Sequence, residues 1–173
     1  SLTVDGNGSV SIGGGLNLGS GGLTKLGGGT LWLNMGGTYA GATTISAGLV
    51  VAGANDALGS SAGATTLASG ATLDLPGVNY STAEALTING GLLTASAGTS
   101  TYAGNVTLGS GGGGNFGVEG SSLTLSGIIS GEDSLTKTGA GRLILSGSNT
   151  FSGATNVNAG TLVVAGGHAL GAG

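Results

Sequence analysis

Apolar residues recur at every second position of this chain in short runs, as in Leu31-Trp32-Leu33, and each run closes on a Gly pair or a Ser/Asn/Gly cluster. Period two over so short a stretch predicts a strand rather than a helix. On this pattern the chain opens with strands at Leu2–Val4, Val10–Ile12 and Leu16–Leu18. It continues through Leu31–Leu33, Ile45 and the alternating pair Leu49 and Val51. In the middle the predicted strands are Thr65–Leu67, Thr72–Leu75, Leu86–Ile88, Leu92–Thr94, Val106–Leu108 and Phe116–Val118. None is long enough to bury its own apolar face, so each must stack on neighbours. Many short strands joined by tight Gly turns stack most simply as a solenoid, coil upon coil.

One stretch occurs twice. Leu23 to Gly53 reads L-T-K-L-G-G-G-T-L-W-L-N-M-G-G-T-Y-A-G-A-T-T-I-S-A-G-L-V-V-A-G, and Leu135 to Gly166 reads L-T-K-T-G-A-G-R-L-I-L-S-G-S-N-T-F-S-G-A-T-N-V-N-A-G-T-L-V-V-A-G. Lys25 and Lys137 stand 112 positions apart, and the offset holds without a gap to Gly48 and Gly160. Thr161 then adds one position, and the A-L-G at Ala57–Gly59 and Ala169–Gly171 restores the spacing. Such a match marks internal repetition, with full copies at 23–59 and 135–171 and divergent coils at 60–121. The lead-in Ser1-Leu2-Thr3-Val4 is echoed by Ser122-Leu123-Thr124-Leu125, so the whole of 1–173 reads as one segment of a repeating array.

The pattern L-T-K-x-G-x-G-x-L-x-L, then x-T-[YF]-x-G-A-T, then A-G-x-L-V-V and A-L-G, resembles the autotransporter-associated β-strand repeat of type V secretion passenger domains in Gram-negative bacteria. The resemblance is strong over 23–59 and 135–171 and one of style only over 60–121. It implies an extracellular, cell-surface location and an architectural role as stalk or adhesin scaffold, and it carries no catalytic or cofactor residues with it. An export signal and an outer-membrane barrel would lie outside these residues.

Composition sharpens the picture in three ways. Gly is 42 of 173 residues and Pro only 1, which by itself warns of low complexity. The hydrophobic share of 39% against 6% charged residues is the reverse of a disordered chain, so a packed solenoid is expected. Three Lys or Arg against seven Asp or Glu give net charge −4, leaving nothing basic to neutralise nucleic-acid phosphates or anionic lipid. No Cys is present, and no run of about 18 apolar residues predicts a membrane-spanning helix.

Candidate chemistry is sparse. Asp5-x-Asn7-x-Ser9 has the opening spacing of a calcium loop, but Val10 and Leu16 stand where that loop needs Gly and Glu, so an Asx-type turn is expected. Gly59-Ser60-Ser61-Ala62-Gly63 matches the nucleophile-elbow spacing without the strand-to-helix turn an elbow needs. His168 aligns with Asp56 of the first copy, so neither is a fixed feature of the repeat. The acids Asp5, Asp56, Asp74, Glu84, Glu119, Glu132 and Asp133 are scattered. No enzyme, metal site or cofactor is therefore expected.

The resulting expectation is an all-β, right-handed parallel β-helix of about five to eight coils, a rod of roughly 25–40 Å. Lys25 and Lys137 should be solvated charges where strands run into Gly turns, and Tyr39 and Phe151 aromatic core elements at a corner. P-G-V-N-Y-S-T-A-E-A from Pro76 should be a loop leaving the solenoid. Trp32 and Ile144, at aligned positions between core leucines, should form an outward apolar contact row. Self-association through that row or through open coil ends would make a filament subunit. Thr-rich strands such as Ala42-Thr43-Thr44 and Ala64-Thr65-Thr66 suggest a host-surface, glycan or ice ligand, but that role needs a flat rank of outward Thr, which Trp32 and Ile144 are expected to interrupt.

Overall fold

The structure, a computed structural model, describes residues 1–165 and 170. His168 and, apart from Leu170, the second A-L-G lie outside these. Among the described residues no helix forms. The chain starts with β1 (Leu2–Val4), β2 (Ser9–Ile12), β3 (Leu23–Lys25), β4 (Thr30–Leu33), β5 (Thr43–Ile45) and β6 (Gly48–Ala52). The middle supplies β7 (Ala64–Ala68), β8 (Ala71–Asp74), β9 (Asn79–Tyr80), β10 (Ala85–Asn89), β11 (Leu92–Ala95), β12 (Thr99–Tyr102), β13 (Val106–Leu108) and β14 (Gly114–Val118). The chain closes with β15 (Ser122–Leu125), β16 (Ile129–Gly131), β17 (Leu135–Thr138), β18 (Arg142–Leu145), β19 (Thr155–Val157) and β20 (Thr161–Val164).

Each strand pairs in parallel with the strand one coil before and one coil after it, save the strands that end a sheet, which have one such partner. The result is three sheets on three sides of a parallel β-solenoid. The first side holds seven strands in the order β1-β3-β5-β7-β10-β13-β16, the second eight as β2-β4-β6-β8-β11-β14-β17-β19, and the third five as β9-β12-β15-β18-β20. A coil takes about 21 residues, from the shorter step of Leu31 onto Val50 to the longer one of Val50 onto Leu73. Seven gaps in the eight-stranded side, at ~4.8 Å each, make the rod roughly 34 Å long.

The core is a set of vertical ladders. Leu23, Leu31, Leu33, Ile45, Leu67, Leu73, Leu86, Leu93, Leu123, Leu135, Leu143 and Leu145 all point inward and are essentially solvent-free. Period two explains why: in Leu31-Trp32-Leu33 the leucines are buried and the tryptophan is exposed. Tyr39 and Phe151, aligned in the two copies, are both fully buried, as expected of aromatic core elements.

Three expectations are corrected. Leu16–Leu18 is not a strand. On that side the first two coils are joined by Thr38 N to Leu16 O (2.9 Å) and Ala40 N to Gly19 O (2.8 Å), the next two by Gly37 N to Asp56 O (2.7 Å) and Ser60 N to Tyr39 O (2.9 Å), without a continuous ladder, and the leucines are only partly buried. In β6 the inward residues are Val50 and Ala52, not Leu49 and Val51, because pairing with Leu31 and Leu33 sets the register where four apolar residues in a row leave it open. The Pro76 segment does not leave the solenoid. Val78 and Tyr80 are buried, β9 pairs with β12, and the Ser100 hydroxyl ties the turn by accepting from Gly77 N (3.1 Å) and donating to Leu75 O (2.5 Å).

Candidate functional site

The lysines shared by the two copies are structural clamps. Lys25 and Lys137 are buried, not solvated. In L-T-K the same alternation that buries Leu23 turns Lys25 inward. Its ammonium then reaches the corner and donates to Leu26 O (2.5 Å), Gly27 O (2.8 Å) and Ala47 O of the next coil (3.5 Å). Lys137 repeats the arrangement with Thr138 O (2.5 Å), Gly139 O (2.7 Å) and Ala159 O (3.2 Å). Three donors meet three carbonyls, which is how an ammonium survives inside. Burial lowers the pKa of each, while Asp5 and Glu119, one coil below, partly oppose the shift. Gly27 and Gly139 form the corner with φ of +63° and +77°, where an added Cβ would meet the Gly6 and Val118 carbonyl oxygens at 2.5 and 2.4 Å.

The two copies do not sit on the same sides. Lys25 ends a strand of the first side, whereas Lys137 lies on the second. Trp32 lies on the second side, and Ile144 on the third. An offset of 112 residues is five coils of about 21 plus one side of about seven, so the second copy is turned by one third about the axis. Trp32 therefore neighbours Ser11 and Val51, and Ile144 neighbours Thr124 and Val163. Trp32 is exposed and Ile144 half-buried, and they do not form one row.

That separation leaves the first side uninterrupted. Its outward positions are Thr3, Thr24, Thr44, Thr66, Thr87 and Thr107, each paired in register with the next, and Ser130 continues the rank. The hydroxyls are partly to fully exposed and no charged side chain stands among them.

Inside the rod, at the corner between the third and first sides, runs a polar column centred on Glu84, whose side chain is fully buried. Thr65 Oγ1 donates to its Oε1 (2.7 Å) and the Tyr80 hydroxyl to its Oε2 (3.0 Å). The Tyr102 hydroxyl donates to its backbone carbonyl (2.8 Å), and the Tyr80 and Tyr102 rings stack at 5.3 Å. Below, Leu58 N donates to the Tyr80 hydroxyl (3.1 Å), and Thr43 Oγ1, 2.6 Å from the Tyr39 hydroxyl, donates to Leu58 O (3.1 Å). Desolvation pushes the Glu84 carboxyl up to about 7, against the lowering effect of Thr65 and Tyr80 and with a further rise from Asp56. Sequence reading does not find this column because its coil-to-coil contacts join residues 15 to 22 positions apart, one coil in space. The spacing of Tyr80 and Tyr102, equal to a coil, was the available signal.

The remaining candidates stay apart. Asp5 Oδ1 accepts from the adjacent Gly6 N (2.6 Å), while Asn7 Oδ1 reaches the next coil to accept from Gly28 N (3.1 Å), so these oxygens serve separate backbone donors and neither makes the expected Asx-turn bond to the amide two residues on. Gly59–Gly63 leads into strand β7, not a helix. No group of three or more His, Asp or Glu able to hold a metal ion occurs among the described residues. A recess of about 290 Å³ lined by Leu108, Ser110, Glu132 and Asp133 is open to solvent.

Stacked parallel coils with lysine-clamped glycine corners define a parallel β-solenoid. Its two aligned stretches, residues 23–52 and 135–164, match the family model of the passenger-associated-transport-repeat, so the chain carries two copies of the autotransporter passenger repeat. No curated protein matches the chain.

Proposed function

We propose that this solenoid is a non-catalytic structural segment of a secreted autotransporter passenger, a stalk that holds an adhesive tip away from the surface of a Gram-negative cell. The observation that carries the reading is the pair of lysine-clamped corners. The repeat spends its most distinctive residues on backbone carbonyls of its own coils, so what it preserves is a stiff rod. Sedimentation over a wide concentration range, combined with negative-stain microscopy, is the test. Monomeric rods roughly 34 Å long at every concentration are expected of a stalk. Concentration-dependent growth into fibres of uniform width would replace the stalk by the filament subunit, joined through open coil ends.

The unbroken Thr rank supports a second reading, in which the first side contacts a neutral, hydroxyl-bearing ligand such as a linear host glycan. Saturable binding by the monomer, abolished by Thr44→Lys with Thr66→Lys, would favour it. Equal binding by wild type and variant would remove it.

A further inference from the structure

Glu84 does nothing for a rod that an apolar residue could not do at less cost. A solvent-free carboxyl with no basic partner is expensive when charged. The titratable groups that face it are Tyr39 and Asp56 from the coils below, Tyr80 from its own and Tyr102 from the coil above. None is a cation, and the described cations are elsewhere: the lysines at their corners, and Arg142 exposed on β18. Asp56 carries the same sign and is bonded to Thr82 Oγ1, two residues before Glu84. Thr65 and Tyr80 each set a hydroxyl against one of its side-chain oxygens, and the Thr65 hydroxyl can turn from donor to acceptor when that oxygen carries a proton. Solvent-free and without a cation in reach, the side chain is better accommodated as a carboxylic acid than as a carboxylate.

We propose that Glu84 is a proton-dependent clamp: protonated, it locks the coils from Tyr39 to Tyr102 together, and on losing its proton it loosens residues 55–86 while the coils around Leu123–Leu145 stay closed. The column joins four successive coils through side chains, so the charge state of one group is felt by all of them. Folded protein holds this proton to a higher pH than the unfolded chain, whose carboxyl has the ordinary value of 4.5. The stability it contributes is therefore full below that value and is lost as pH rises through about 7. Acid tightens the middle of the rod and alkali slackens it. The inference stands whether the rod serves as stalk or as filament.

Amide hydrogen exchange on the full chain, corrected for intrinsic rates, tests it at about pH 6 and about pH 9. Protection at Leu58 and Leu86, whose amides bond to Tyr80 Oη and Asn105 O, should fall roughly 10-fold in the wild type and stay level in Glu84→Gln. Leu123, well away from the column, should hold in both. Parallel profiles for wild type and Glu84→Gln would overturn the clamp. Should Glu84→Gln not fold, carbon-13 NMR titration of the wild-type Glu84 carboxyl decides. A midpoint near neutrality supports the proposal, and one in the ordinary carboxylate range overturns it.

Discussion

The two repeat copies share a sequence pattern but face different ways. In the first, Leu23–Lys25 and Leu31–Leu33 occupy the first and second sides; in the second, Leu135–Lys137 and Leu143–Leu145 occupy the second and third. Each nevertheless builds the same local object: an inward lysine with three carbonyls, a left-handed glycine, a core strand and a buried aromatic. What the repeat encodes is the step from one side to the next. The side on which it starts is set by the length of chain between copies. The solenoid tolerates this because its three sides are near equivalents for a strand of three to five residues.

If that is right, matched substitutions should cost the same in both copies. The largest effect is expected from removing the aromatic. Tyr39→Ala and Phe151→Ala should each lose about 3–5 kcal/mol in urea unfolding, and a gap of more than about 1 kcal/mol would break the equivalence. Next come the clamps. Lys25→Met and Lys137→Met leave corner carbonyls without their donor, at about 2–3 kcal/mol each. Lys→Arg should not rescue either one, since a planar fork does not fit a three-carbonyl corner. A smaller and sharper test is Phe151→Tyr. Thr155 aligns with Thr43, the hydroxyl that meets Tyr39, so the new hydroxyl should find a partner and stability should change by no more than about 1 kcal/mol. The smallest effect belongs to the outward pair. Trp32→Ser and Ile144→Thr should shift stability by about 0.5 kcal/mol or less, and because they lie on different sides their effects should add.

Strands and coil stacking were legible in the sequence because period-two alternation survives even in the divergent middle, where Val106–Leu108 falls where the pattern puts it. What stayed hidden depended on partners that a linear reading does not bring together. Lys25 reads as solvated when charge is set above alternation, and its partners are carbonyls, which every residue carries. β12 was missed because its inward positions are Ser100 and Tyr102, not aliphatic. The Pro76 segment reads as a loop because its buried polar groups are satisfied one coil away. Pairing Trp32 with Ile144 assumed that aligned residues share a side, which needs an offset of whole coils. Of the candidate site, the Thr-rich strands were visible, but their merging into one rank depended on the same phase.

The one-third turn between copies also has a consequence for how a longer array would display its surface. Copies repeated at the same spacing would return to the starting side only at every third occurrence, like treads around a spiral stair. A loop grafted at an equivalent point of each would then ring the shaft on all sides, reaching neighbours in every direction. Shortening each interval by about seven residues would bring those treads into a single straight ladder.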